Sequence, residues 1–259
     1  FYNSKINFGL ITYNFTTKKP LILSKDKIPS NKLIDYLMAS ATCFPAFKMK
    51  EIDGNKYIDG GYYDNLPIEL AIKLGAEFLI IIDLGAPGFK KKPSKQVNSI
   101  IIKPKNNISF FLNFNEEAAK INVKFGYNDT LKAFNKLDGN KFTFKKSTIT
   151  KYYLNHKAIL LDKKEKGFLT SIEQLGKIFK LDESKIYSMH SFIKALNKKI
   201  ELEESLDKST IKNIKSLTTK INSKTLVLFF LNHLENSKNP RKEYKRAKYL
   251  QILGVTYGK

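Results

Sequence analysis

The chain has 259 residues, 42% of them hydrophobic, enough to bury a sizeable core in one large domain or two small ones. Its formal charge of +22 comes almost wholly from lysine, since Arg241 and Arg246 are the only arginines, which argues against an Arg-based nucleic-acid reader or bidentate phosphate site. The single Cys43 excludes an internal disulfide framework and a cysteine metal cluster, and His156, His190 and His233 are too scattered for a zinc site.

No cofactor or metal is expected on these grounds. A lysine surplus spread along the whole chain reads as compositional bias, and an anionic membrane surface is its natural partner where the charge is used. The longest apolar run, residues 226–231, falls short of the about 20 residues a membrane helix needs, and no signal peptide opens the chain. The chain starts at Phe1 with strand-like sequence close behind, so an N-terminal truncation is expected. A cytoplasmic or peripheral-membrane location fits these features.

Residues 6–16 are rich in aromatic and β-branched side chains and predict a strand. Lys18-Lys19-Pro20 turns it into a second strand over 21–23. Ser30 is the expected N-cap of a helix through Leu33, Leu37 and Met38, and Pro45 closes the small-residue block that begins at Ala39. Asp53-Gly54-Asn55 between β-prone arms signals a hairpin, with Asp59 at its far end. Gly60 and Gly61 follow at once. They permit a sharp turn and the close approach of another backbone. An acid presented there can accept a proton from a neighbouring nucleophile. Equally, it can simply bond its own backbone.

Pro67 suits the first turn of a helix with Ile68, Leu70, Ala71 and Leu74 on one stripe and Gly75 at its end. The apolar run 78–84 predicts a strand covered on both faces, and the helix-then-strand succession argues for an α/β layered sheet. Residues 85–93 read as an exposed lysine-rich loop and 98–103 as a further strand. A long helix is expected over 116–137, broken near Gly126, then a short extended piece over 141–144. Beyond Lys151 the pattern is helical, with stripes Leu175/Ile178/Phe179, Phe192/Leu196/Ile200 and Tyr249/Leu250/Leu253.

Taken together, Ala39-Ser40 with Phe44-Pro45, the hairpin, Tyr57-Ile58-Asp59-Gly60-Gly61, Asp64-Asn65-Leu66-Pro67 and Gly75-Ala76-Glu77 resemble the patatin-like phospholipase family, bacterial type. Gly126-Tyr127-Asn128-Asp129-Thr130-Leu131-Lys132 resembles a segment that follows the core in bacterial members. The resemblance covers roughly residues 6–132. It implies an α/β fold: a partial three-layer α/β/α sheet over residues 1–137, followed by a mostly helical region over 138–259. It also implies hydrolysis of an acyl ester, in phospholipid or neutral acyl lipid, through an acyl-serine intermediate.

Carried over residue by residue, the resemblance makes Asp59 the acid/base of a Ser–Asp dyad and Gly60 and Gly61 its turn. Ser40 and Pro45 then shape the site without supplying the nucleophile. The family's dyad uses no histidine. Its Gly-x-Ser-x-Gly elbow and glycine-rich oxyanion block do not occur in the 259 residues. Both precede the Ala-Ser block in the family, so one truncation accounts for both. Ser4, Ser24, Ser30, Ser94 and Ser99 read as loop or cap residues, and the fragment is expected to be inactive by itself. The alternative reading is a non-catalytic lysine-rich membrane-surface or scaffolding module. A nucleic-acid binder is motivated by charge alone, without a motif for specific recognition.

Overall fold

The computed structural model describes residues 1–108, 112–156 and 164–203. The apolar run 226–231, His233, both arginines and the stripe at Tyr249, Leu250 and Leu253 lie outside the described residues. The chain forms two compact units, Phe1–Pro104 and Lys105–Lys259. Strands and helices occur in both, in line with the α/β class expected from the sequence.

In the first unit an antiparallel sheet has the order β2-β1-β4-β3. The strands β1 (Gly9–Asn14) and β2 (Lys19–Ser24) make the expected hairpin, with Gly9 opposite Ser24 and Asn14 opposite Lys19. Pro20 is tolerated because β2 is an edge strand, where a missing N–H removes no ladder bond. The second hairpin joins β3 (Lys50–Ile52) to β4 (Asn55–Asp59) through Asp53 and Gly54, whose φ angles of 48° and 73° suit a two-residue primed turn. Strand β4 then lies against β1, with Thr12 opposite Asp59.

One face of this sheet buries Leu10, Leu23, Ile52 and Tyr57, and α1 (Leu33–Ser40) covers it through Leu33, Tyr36 and Ala39. Tyr36 meets Tyr57 edge-on, with ring centroids 6.0 Å apart. The helix starts later than expected. Ser30 opens a separate 3₁₀ turn, Ser30–Lys32, and Lys32 occupies the cap position of α1.

The helix α2 (Ile68–Lys73) has Pro67 at its cap position, and the Gly75 N–H donates to the Ile72 carbonyl at 3.0 Å. Strands β5 (Phe78–Ile82) and β6 (Asn98–Ile102) then pair in parallel. The expectation that β5 is covered on both faces fails. Leu79 and Ile81 are buried, whereas Phe78, Ile80 and Ile82 are 54%, 56% and 62% exposed. The reason lies in strand periodicity: successive side chains point to opposite faces, and β5 pairs with β6 alone among the described residues.

In the second unit α3 (Glu116–Ala133) is capped by Asn115, whose side chain accepts from the Ala118 N–H at 2.9 Å. It is not broken at Gly126. A Cβ there would touch nothing, so the glycine sits on an open side and costs only helix propensity, about 1 kcal/mol. The helix also stops short of 137, and Leu137–Asp138 forms β7. A small sheet follows in the order β7-β8-β9, with β8 at Thr143–Lys145 and β9 at Ile186–Tyr187.

Helices α4 (Thr148–His156), α5 (Glu165–Ile178) and α6 (Met189–Glu203) complete this unit. Its core contains Phe142, Phe144, Phe168, Leu175, Phe179, Phe192 and Leu196, so the α5 stripe and, on α6, Phe192 and Leu196 face inward as expected. The segment that begins at Gly126 serves as a polar tie inside this unit. Asn128 Nδ2 donates to the Ser184 carbonyl at 2.9 Å, Asp129 Oδ2 accepts from the Lys105 N–H at 3.0 Å, and Asp129 Oδ1 pairs with Lys132 Nζ at 2.8 Å.

Glu173 is buried in α5, and its Oε1 accepts from the backbone N–H groups of Asn140 at 2.7 Å and Phe142 at 3.1 Å. Burial raises its carboxyl above the ordinary value of 4.5, against the opposing effect of those N–H groups. A folded pKa above the unfolded one contributes stability that is complete below pH 4.5 and is lost as pH rises through the folded value. Glu173→Gln should therefore gain stability relative to the wild type as pH rises above that point, in urea melts run across the range. Gly176 on the same helix has no room for a side chain, since a Cβ would lie 2.5 Å from Phe192 Cζ and 2.8 Å from Phe142 Cζ. Gly176→Ala should destabilise this unit by about 1–3 kcal/mol from overpacking, read as a lower urea midpoint.

Candidate active site

Asp59 ends β4 half-buried, with φ −48° and ψ 139°. Its N–H donates to the Thr42 carbonyl at 2.9 Å, and its Oδ1 accepts from the Gly61 N–H at 2.7 Å. The local backbone bond that Asp-Gly-Gly turns favour is thus present, and it occupies one carboxylate oxygen. Oδ2 carries no hydrogen bond or ion pair among the described residues.

Gly60 follows in a 3₁₀ turn, Gly60–Tyr62, pressed against β1. A Cβ on Gly60 would lie 2.2 Å from the Ile11 carbonyl oxygen. The same oxygen accepts from Ser40 Oγ at 2.8 Å. Next to it, buried Thr12 donates its Oγ1 to the Ile58 carbonyl at 2.7 Å, fixing β1 to β4 just before the acid. Pro45 joins the same cluster through its neighbour: the Tyr62 hydroxyl donates to the Phe44 carbonyl, and the Phe44–Pro45 peptide is cis. The structure therefore brings Ser40, Pro45, Asp59, Gly60 and Gly61 together where the end of β4 meets the middle of β1.

Other members of the cluster were not evident from the sequence. Residues 83–97, the crossover between the parallel strands β5 and β6, include no helix, and the segment near 88 folds back onto the Asp59 turn. The Phe89 N–H donates to the Gly61 carbonyl at 3.0 Å, and the Asn65 N–H donates to the Phe89 carbonyl at 2.5 Å. Asn65 Nδ2 donates to the Ala86 and Pro87 carbonyls at 3.0 and 3.3 Å. Buried Asp64 accepts from the N–H groups of Leu66 and Lys91 at 3.2 and 3.3 Å.

Asp83 closes the base of this loop. Its Oδ1 accepts from Lys90 Nζ at 2.7 Å and from the Gly85 N–H at 3.0 Å, and Lys103 Nζ lies 3.4 Å from Oδ2. The Lys90 bond foremost, then the Gly85 N–H, hold its carboxyl below the ordinary range despite burial. Farther along, Ser94 ties the loop to α2 through Glu69, donating its N–H at 2.8 Å and its Oγ at 3.1 Å. The loop expected to be merely exposed is thus anchored along its backbone and through the Lys90 and Lys91 side chains, although the Phe89 side chain is exposed. The available sequence signal was the run Gly85-Ala86-Pro87-Gly88, which marks a turn without naming its contact.

Residues 2–72 match the family model of patatin-like phospholipases. The match runs from the N-terminal residues into α2 and includes Ser40, Pro45, Asp59, Gly60 and Gly61. Over that stretch the resemblance read from the motifs holds, and it brings with it a family of lipid acyl hydrolases acting on lipid substrates. The tie beginning at Gly126 lies beyond the match. No curated protein matches the chain. Among the described residues no group of His, Cys, Asp or Glu is arranged to hold a metal ion, and no helix is long and apolar enough to cross a membrane.

The crowding at the Ile11 carbonyl predicts unequal effects at the two residues that meet it. Gly60→Ala forces a backbone shift and should destabilise the first unit by about 1–3 kcal/mol or more. Ser40→Ala removes one neutral hydrogen bond and should cost about 1 kcal/mol. Urea denaturation of the two variants, compared at one pH, checks the order.

Proposed function

We propose that this chain carries the acid/base half of the Ser–Asp dyad of a lipid acyl hydrolase, a phospholipase or esterase, with Asp59 in that role. The observation that carries the reading is the Asp59 carboxylate itself. It stands at a strand end, inside the patatin-like match, with one oxygen tied to Gly61 and the other open to a partner. Gly60 and Gly61 form its turn, and Ser40 and Pro45 shape the surrounding backbone.

In this reading Asp59 accepts the proton of a serine hydroxyl as the serine oxygen attacks an ester carbonyl. The tetrahedral intermediate collapses to an acyl-serine, and the proton goes to the departing alcohol. Water then attacks the acyl group, giving its proton to Asp59, and the free acid leaves as the serine is regenerated. The serine must come within about 2.6–3.2 Å of the carboxylate. Its Gly-x-Ser-x-Gly elbow and the oxyanion donors do not occur among the 259 residues, so we assign them to a segment outside this sequence and expect the chain alone to be inactive. Patatin-like C-terminal architecture, with a domain boundary near 137 and a mostly helical remainder, accompanies the same reading.

A protein that includes such an elbow should hydrolyse a phospholipid or acyl ester. Asp59→Asn should lower kcat by about 10²–10⁴-fold while leaving the circular dichroism and the melting curve intact. Undiminished turnover in that variant would remove Asp59 from the mechanism. The 259-residue chain should not label with a fluorophosphonate, and labelling at any serine would mean that the nucleophile lies within it.

One observation favours an anionic membrane surface as the setting, with a peripheral location. Leu84 and Phe89 are 59% and 69% exposed on the loop that also carries Lys90, Lys91 and Lys92. Apolar side chains flanked by lysines suit a negatively charged lipid interface. Co-sedimentation with phosphatidylserine vesicles, weakened by salt and absent with phosphatidylcholine alone, is the expected result.

A further inference from the structure

The Asp59 turn is closed only in part from within: the Gly61 N–H donates to Asp59 Oδ1, and the N–H groups of Tyr63 and Asp64 donate to the Gly60 carbonyl at 2.9 Å each. The next peptide group of the turn, the Gly61 carbonyl, is held from outside by the Phe89 N–H at 3.0 Å. Gly88 makes this approach possible. With φ +146° it adopts a conformation that L side chains rarely take, and a Cβ there would meet the Gly61 carbonyl oxygen at 2.8 Å and Asn65 Cβ at 3.0 Å.

Asn65 closes the arrangement from the other side. Its backbone N–H and its Nδ2 together grip the carbonyls of Ala86, Pro87 and Phe89, while its Oδ1 lies 3.1 Å from the site of a Cβ on Gly61. Asp83 holds the start of the same loop through the Gly85 N–H and ties it to the far end through Lys90, and Asp64 holds that far end through the Lys91 N–H. Lys91 Nζ also rests 3.3 Å from the centre of the Tyr63 ring.

From this geometry we propose that the segment Asp83–Lys91 is a strap that sets the position of the Asp59 carboxylate, with Asn65 and Gly88 as positioning residues for the acid. The proposal rests on Asp59 being the acid of the dyad. The strap touches the backbone of the turn and leaves Oδ2 open, so it orients the carboxylate without competing for the proton it takes. A hydrogen-bonded acid that must meet a serine to within a few tenths of an ångström depends on such support. The contacts join the turn to a loop more than twenty residues later in sequence, and the strap therefore transmits any change in the β5–β6 crossover to the acid.

Amide hydrogen exchange by NMR on the 259-residue chain tests the strap without needing activity. The Gly61 amide reads the bond to Asp59, the Phe89 amide reads the strap, and the Phe15 amide, bonded to the Lys56 carbonyl at 2.7 Å, is a reference within the sheet. Gly88→Ala and the isosteric Asn65→Asp, which removes the Nδ2 donor, should each speed Gly61 exchange relative to Phe15 by about tenfold. Gly75→Ala imposes backbone strain at φ +93° with nothing within 4 Å of the added carbon. It controls for general destabilisation and should leave that ratio unchanged.

Faster exchange at Phe89 with an unaltered Gly61 ratio would overturn the proposal, as would an equal rise in the Gly75→Ala control. In a protein that includes the serine, both strap variants should lower kcat about tenfold or more with KM unchanged. An unchanged kcat in both would also overturn it. Absence of ester hydrolysis in every form would instead count against Asp59 as the dyad acid, and the exchange ratios would still decide whether the strap holds the turn.

Discussion

The carbonyl of Ile11 is the point on which the first unit turns. Ser40 donates to it from the end of α1, and the Cα of Gly60 packs against it from the turn after β4. A backbone oxygen buried between two elements needs a donor, and Ser40 supplies it. A backbone pressed so close tolerates no side chain, and Gly60 has none. The helix end, the first strand and the Asp59 turn are thereby fixed in one register, with Thr12 opposite Asp59 and the Thr12 hydroxyl on the Ile58 carbonyl. Displacing any one of the three would move the carboxylate.

Both units use carboxylates to organise irregular backbone, with different electrostatic results. Glu173 is buried and desolvation dominates, raising its carboxyl even though backbone N–H groups and, after them, the charge of Lys132 favour the ionised form. Asp83 is also buried, yet Lys90, Gly85 and Lys103 surround it, and its carboxyl is lowered. A cation within hydrogen-bond reach decides the sign. The lysine surplus, diffuse in the sequence, does specific structural work at Lys90 and at Lys132, which pairs with buried Asp129 and donates to the Asn140 carbonyl at 2.8 Å.

Much of the candidate site could be read from the chain because its signals are local. Asp53-Gly54 demands a two-residue hairpin turn, the hairpin delivers Asp59 to a strand end, and the paired glycines demand a close approach. The order of these blocks carried the family resemblance. The strap could not be read in this way. Asn65 follows the turn closely, but its partners, Ala86 to Phe89, are separated from it by a helix and a strand, and nothing in Gly85-Ala86-Pro87-Gly88 names the surface it covers. The unbroken α3 has a similar cause. Gly126 lowers local helix propensity, and the polar ties of Asn128 and Asp129 hold the helix through it.

What the sequence determined alone is the set of short-range elements: the two hairpins, the Pro67–Gly75 helix, the apolar β5 and the inward stripes of α5 and α6. Backbone dihedral preferences and hydrophobic periodicity fix each of these within a dozen residues. Only the tertiary structure decided that β5 leaves one apolar face open. Only there did the Ile11 carbonyl become the meeting point of Ser40 and Gly60, and the β5–β6 crossover a support for the acid. Those outcomes depend on which backbone groups remain unpaired after the local elements form, and on which distant segment comes near enough to pair with them. The Asp-Gly-Gly turn is written in the sequence; what holds its carboxylate in position is supplied by Asn65 and Gly88 through space.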